Sequence, residues 1–291
     1  FVRTCLGLEN AVIAQPGYAV EYTFVSPRVL QPTLEVIDFP GLYLAGQICG
    51  TSGYEEAAAQ GIMAGYNAAL KQLKNPPFVL GRHEAYIGVL VDDLLVSDPQ
   101  EPYRMFTSRA EHRLLLRHDN ADLRLTPRAR ALGGISDVRW SRFTAKKNRI
   151  DAATKILRET LDSASRQDEG KRRTWADRMR RPDGGGWAVA VESLPALQAC
   201  GLSSVEGASV EADLQYAGYA QRQANWIARG AEREKAALPD GFVFDAVKGL
   251  RAEAAQILSE VRPPTLGSAS RLAGVTPADL ALLEIALARH S

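Results

Sequence analysis

The sequence predicts an α/β segment over about residues 1–75, followed by an all-α segment over about 76–291. Three observations predict it. Residues 41–70 read as a short apolar run, a glycine-rich turn and a helix that begins in the turn. Residues 71–77, KQLKNPP, are basic and then helix-breaking, as a linker is. Beyond them the long periodic stretches carry 3–4 spacing.

In the first segment, Leu42 to Ala45 reads as a buried strand between Gly41 and Gly46. Gly46, Gly50 and Gly53 then give backbone freedom and bare N–H groups within one tight loop. Thr51 or Ser52 can cap the helix that starts at Gly53 or Tyr54. Ala57, Gly61 and Gly65 recur at i, i+4, i+8, a stripe that lets a helix lie close on a sheet. On these residues alone, a helix–sheet packing device and a ligand site stand even. A helix N-terminus favours anionic or electron-rich groups. Glu55 and Glu56 in the first turn disfavour a pyrophosphate, so a flavin pyrimidine edge suits the bend better, with Gln47 offering its amide. Ala11–Ala14 and Tyr18–Val25 read as further strands, and Pro27, Pro32 and Pro40 mark loops.

Composition narrows the class. The chain has 291 residues, enough for two domains, with 46% hydrophobic and 24% charged residues, as in a globular protein with a real core. Net charge is +1, so a nucleic-acid partner must be argued from local patches. Cys5, Cys49 and Cys200 are widely spaced, without CxxC, which fits neither a disulfide framework nor a zinc site. No apolar run is long enough to span a membrane. Asp92-Asp93 lack further ligands at metal spacing and read as salt-bridging groups.

The second segment opens on an arginine-rich stretch. Arg109, Arg113 and Arg117 recur at i, i+4, i+8, so on a helix they share one cationic face. Arg104, Arg124, Arg128 and Arg130 add charge, and Tyr103, Phe106 and His112 interleave aromatic surface. Glu101, Glu111, Asp119 and Asp122 could instead neutralise a helical surface; composition does not choose between the two. Asp137–Leu161 reads as a polar amphipathic helix. Lys171–Arg181 reads as a solvated basic run, and Ser193–Gly201 as a short helix. Val210–Leu238 reads as a long helix, with Tyr216, Tyr219, Gln223, Trp226 and Ile227 at 3–4 spacing. The end, SASRLAGVTPADLALLEIAL, has a helix-turn-helix outline, with Thr276 as cap and Pro277 at the first helical position. Its second helix is apolar with an acidic tip, which suits a buried or partner-facing helix and excludes DNA reading.

Several blocks carry a family resemblance. AGQICGTSGYEEAAAQG, PGYAVEYTFVSPRVLQPTLE, EAYIGVLVDDL, EPYRMFTSRAEHRLLLRHDNADLRLT and LGSASRLAGVTPA resemble blocks of the MnmG/GidA family, flavoproteins that modify wobble uridines in tRNA. Residues 155–208 match it poorly. The resemblance implies that 1–75 is the closing part of a Rossmann-like FAD-binding domain and that 76–291 is a helical tRNA- and partner-binding domain. It implies addition of a carboxymethylaminomethyl-type group at C5 of the uridine, using FAD, NADH and a folate-derived one-carbon unit. It implies three partners: tRNA, a GTPase and a second copy of the chain. Gly46, Gln47, Gly53, Tyr54, Glu55, Glu56 and Ala57 become flavin-binding candidates. Arg104, Arg109, Arg113, Arg117, Tyr219 and Arg222 become tRNA-binding candidates, the last two through the family's Y-x-GY-x-x-R/K-Q motif. Glu21, Tyr22 and Arg28 would lie in the block that lines the family's active-site cleft. Thr23 stands where the family usually has an acidic residue.

The family's GxGxxG loop and its catalytic cysteines have no counterpart here, so the chain reads as the C-terminal half of such a protein, without a nucleophile of its own and with poor flavin affinity. Residues 75–94 resemble the mitochondrial branch more than the bacterial one. Two other functions fit the residues: a flavin oxidoreductase acting on a small molecule, and a non-catalytic tRNA- or partner-binding module.

Overall fold

The computed structural model describes residues 1–18, 21–96, 101–162, 173–181, 183–272 and 274–290. Eleven α-helices are found among them. They are α1 (Tyr54–Gln72), α2 (Tyr86–Val96), α3 (Ala121–Ala131), α4 (Asp137–Glu159), α5 (Trp175–Met179), α6 (Gly186–Ser193), α7 (Pro195–Gln198), α8 (Ser204–Lys235), α9 (Ala252–Val261), α10 (Leu266–Ser270) and α11 (Pro277–His290).

The helical expectations hold where local signals are strong. α4 begins at Asp137 because the Ser136 side chain accepts the Arg139 N–H at 3.3 Å. α11 begins after a reciprocal cap: Asp279 accepts the Thr276 N–H at 2.8 Å, and Thr276 Oγ1 accepts the Asp279 N–H at 3.4 Å. The short helix expected at Ser193–Gly201 is α7, which Pro195 opens at its first position; α6, ending at Ser193, precedes it and was not expected.

The expected strands are not found among the described residues. Among the described residues, extended segments meet only as isolated bridges, such as Glu35 with Tyr43 and Leu30 with Val36. Residues 42–45 bond back onto a tight turn, Val36 N to Leu42 O and Leu44 N to Leu34 O, and Gly41 and Gly46 at positive φ end the run on both sides. Residues 11–14 and 21–24 lie along the surface without a ladder; 19 and 20 fall outside the described residues. The α/β reading of residues 1–75 is therefore not met by a sheet.

Three large clusters form the core. The first packs Leu30, Leu34, Val36 and Cys49 against Met63 and Ala64 of α1 and Val91 of α2. The second joins Ile150, Ala153 and Leu157 of α4 to Trp175 and Met179 of α5, Ala190, Leu197, and Val210 and Leu214 of α8. The third joins Phe242 and Phe244 to Leu258 of α9, Leu266 and Ala269 of α10, and Leu280 and Leu283 of α11. The basic run is not simply solvated: Trp175, Ala176 and Met179 enter the second core, while Arg178 pairs with Asp162 at 3.3 Å. Lys171 and Arg172 lie outside the described residues.

Candidate functional site

The bend begins with one turn of 3-10 helix, Gly46–Cys49, and leads into α1. Gln60 of α1 fixes both ends of it. Its Oε1 accepts the Gly46 N–H at 2.8 Å, and its Nε2 donates to Thr51 Oγ1 at 3.0 Å, with the side chain fully buried. Thr51 is therefore a buried partner of Gln60 and does not cap α1; Gly53 is the N-cap, without a side-chain bond. Gly46 adopts φ +84°, and its Cα lies so close to α1 that an added Cβ would touch Ala57 at 3.5 Å. Of the small-residue stripe, Ala57 faces the Gly46 bend while Gly61 and Gly65 face solvent, so the stripe does not lie on a sheet among the described residues. Burial pushes the Cys49 thiol up to about 11, which leaves it protonated and unreactive.

The expected flavin cradle is not enclosed. Gln47, Tyr54 and Glu55 are exposed, and Tyr54 stands 94% in solvent. The Gly46 N–H is already taken by Gln60. Glu56 turns inward, and its shielded Oε2 has no hydrogen-bond partner among the described residues. Burial raises the Glu56 pKa, but the amides of Met105 and Glu56 and the Arg104 guanidinium outweigh it and hold the carboxyl below its usual range. These residues offer one open edge with an anion behind it and do not by themselves fit around a flavin.

Through Glu56 the bend is joined to the arginine-rich stretch. Glu56 Oε1 accepts the Met105 N–H at 2.8 Å and lies 3.4 Å from Arg104 Nε. Tyr103 N–H donates to Gly50 O at 2.7 Å, and Thr51 and Tyr103 form a parallel bridge. Two segments far apart in the chain thus share one surface.

The arginines do not share a helical face. Only Thr107–Arg109 makes a 3-10 turn, and 111–120 is a series of turns. The cationic face expected for Arg109, Arg113 and Arg117 is thereby corrected. Arg117 is a brace: it bonds Asp119 at 2.9 Å and Asp213 of α8 at 2.6 Å, with 15% of its side chain exposed. Arg109 lies over the Tyr103 ring at 4.5 Å. Arg113 is exposed and has no ion-pair partner among the described residues, and Arg104 is exposed beside Glu56. Arg124, Arg128 and Arg130 bond Glu84 and Asp137, and brace α3. Tyr103 and His112 are buried, so neither presents a free ring, whereas Phe106 is exposed.

Sequence reasoning missed Arg82. Its guanidinium bonds Asp92 at 3.0 Å, Asp93 at 2.5 Å, Glu111 at 2.6 Å and the Arg109 carbonyl at 3.2 Å. Burial opposes its charge, but Glu111 and Asp93 hold it protonated. It thereby ties the loop to α2, and the salt-bridging expectation for Asp92 and Asp93 holds. No spacing rule points to Arg82, because these partners lie ten to 29 positions away.

α8 closes the other side of the loop. Ser209 Oγ donates to Asp119 at 2.6 Å, and Trp226 lies 5.4 Å from the His112 ring. Arg222 stacks over Tyr219 at 4.5 Å, and both are exposed. The loop therefore meets α8 through Arg117, Asp119 and His112; Tyr219, Arg222 and Trp226 are exposed along that helix, and the exposed Arg113 follows His112 in the loop. Glu21, Tyr22 and Arg28 are exposed on the first segment.

Family models match in three places. One described as glucose inhibited division protein A matches residues 1–76. One for a tRNA modifying enzyme MnmG/GidA C-terminal helical domain matches 137–224, and one for the MnmG/GidA C-terminal helical bundle matches 226–291. The chain belongs to the MnmG/GidA family. Among MnmG relatives, it is 44% identical over 301 aligned positions to the tRNA uridine 5-carboxymethylaminomethyl modification enzyme MnmG of Syntrophotalea carbinolica. It is equally similar to the enzyme of the same name from Thermodesulfovibrio yellowstonii; each alignment covers 100% of this chain and 48% of the relative. Among solved structures it is similar to Aquifex aeolicus GidA, form II crystal, with TM-score 0.73 and 36% identity over 98% of this chain and 46% of that one. The chain thus spans about half the length of its MnmG relatives. Those named here are bacterial, which does not support the resemblance to the mitochondrial branch. Residues 77–136, with the arginine-rich loop, lie between the first two matched regions. Among the described residues no helix is long and apolar enough to cross a membrane.

Proposed function

We propose that this chain is the tRNA-engaging half of an FAD-dependent enzyme that installs a carboxymethylaminomethyl-type group at C5 of the wobble uridine. The observation that carries the reading is the joint made by Glu56: one carboxylate touches both α1 at the glycine bend and the segment that presents Arg104. A cofactor edge and an RNA backbone meeting at such a joint would be a few side chains apart. Gly46, Gln47, Gly53, Tyr54, Glu55, Glu56 and Ala57 then form one wall of the flavin site, with the rest of the site and the NADH site elsewhere in the whole protein. The names of the relatives support tRNA uridine as substrate. A GTPase partner and a homodimer belong to the same proposal, with the apolar C-terminal bundle as the partner face. The bacterial relatives favour a bacterial setting. The Rossmann-like reading of residues 1–75 stays within the proposal as the shape they take against the remainder of the FAD domain.

The open bend favours one second reading, a module that binds tRNA without flavin. Two titrations of the chain separate them. tRNA binding followed against salt should give a slope smaller by about 0.9 in Arg104→Ala and in Arg113→Ala, each neutralising one phosphate fewer than wild type. Arg117→Ala should instead lower thermal stability, since it is a brace. Equal slopes in wild type and both exposed-arginine variants would remove the RNA reading from this loop. Measured tRNA binding with no flavin affinity in any length of the protein would favour the module.

A further inference from the structure

Trp226 has the largest side chain type in the chain, and 54% of it is exposed. Trp175 is buried, and Trp140 and Trp187 are half-buried. Leaving an indole in water forgoes a large burial gain. Its ring is nonetheless held in place: His112 lies against it at 5.4 Å with the planes 57° apart. The remaining indole surface faces outward.

The surroundings select the occupant. On α8, Tyr219, Gln223 and Trp226 stand at i, i+4 and i+7 and so share a face. Arg222 lies over Tyr219 at the edge of that face. Arg113, next to His112, is exposed and has no ion-pair partner among the described residues. Residues 214–228 contain no acidic residue. His112 is nine-tenths buried, and its Nδ1 has no hydrogen-bond partner; Gln223 Oε1 is likewise shielded and unpaired among the described residues. Uncompensated polar atoms beside a held, exposed indole mark a place where a polar, flat ligand improves matters. The core of a protein interface is depleted of charge, whereas aromatic faces interleaved with arginine suit stacked bases and their phosphates.

We propose that Trp226 is the stacking platform for an unpaired nucleobase of the RNA, with Arg222 and Arg113 on the flanking phosphates, Gln223 beside the base edge and His112 behind the indole. The assignment rests on the tRNA reading above and adds its base-contacting subsite. The test uses this chain with two RNA probes, a stem–loop and a blunt duplex of the same length. The stem–loop should quench the exposed Trp226 emission saturably. Trp226→Ala should weaken stem–loop binding by about 10–100-fold, leave duplex binding unchanged and keep the salt slope. Trp226→Phe should restore most of the affinity while losing the quench. If wild type binds neither RNA, the tRNA reading itself fails. If wild type binds the stem–loop and Trp226→Ala binds it equally well, the stacking assignment fails and the indole is a protein-facing surface. If Trp226→Ala weakens both probes alike, the residue maintains the fold of the seam and the assignment fails.

Discussion

Asp119 takes bonds from Arg117 at 2.9 Å and from Ser209 at 2.6 Å, and so joins the arginine loop to α8. Burial alone would raise its pKa, but the Arg117 guanidinium and the Ser209 hydroxyl outweigh that and hold the carboxyl down at about 2. A carboxyl depressed in the folded state adds stability that is whole above its unfolded value, near 3.9, and is lost as pH falls through the folded value. Thermal melts between pH 5 and pH 2 should therefore fall more steeply for wild type than for Asp119→Asn, which is less stable at pH 7 and has no such proton to gain. Parallel curves would show that the clamp contributes nothing. The residue scale is also where the sequence was hardest to read. Arg109, Arg113 and Arg117 have helical spacing, yet their environment is set by acids and carbonyls far along the chain. Arg117 is drawn in by Asp213, 96 positions on, and Arg113 is left out. Arg82 and Gln60 do their work through contacts that no local pattern announces.

At the scale of elements, legibility followed whether the deciding forces are local. α4 and α11 are bounded by their own caps, and the sequence placed both starts correctly. α1 was placed from Gly53 onward, but its cap was assigned to Thr51 or Ser52 because nothing local reveals that Gln60 claims Thr51. The strands failed for the opposite reason: a strand exists only through its partner, and residues 42–45 found a neighbouring turn instead. α2 shows a constraint visible only once packed. A Cβ added to Gly88 would stand 2.3 Å from the Gly81 carbonyl oxygen and 2.5 Å from that of Leu80, and backbone cannot swing aside as a flexible side chain can. Gly88→Ala should cost roughly 1–3 kcal/mol by overpacking, read as a lowered denaturant midpoint. Gly61→Ala, on the open face of α1, is the matched control, since nothing lies within 4 Å of its added Cβ and it should be neutral or slightly stabilising. Equal midpoints for the two variants would mean that α2 does not sit against residues 80–81 as described.

At the scale of the molecule, α2 links the first core to the third, and α8 runs from the second core to α10 of the third. Val91 lies in the first core and Val96 packs on the third, while Asp92 pairs with both Arg82 and Arg271. The C-terminal core has its own lock. Asp279, almost fully buried, accepts from Arg251 at 2.7 Å and from Thr276, and Arg251 also holds the Gly274 carbonyl at 2.5 Å. The Arg251 bonds hold the Asp279 carboxyl well below its usual range, with the Thr276 bonds adding to this against burial. Removing that charge strands a cap and a guanidinium together. Breaking such a pair on one side typically costs about 3–5 kcal/mol when both partners are buried, and less here because Arg251 is half exposed. Because the second core shares none of these residues, the damage should stay local. Hydrogen exchange on Asp279→Asn should show faster opening across 238–288, with protection in α4 and the start of α8 unchanged. Uniform loss of protection through all three cores would mean that the molecule opens as one unit, with α2 and α8 as rigid struts between its cores.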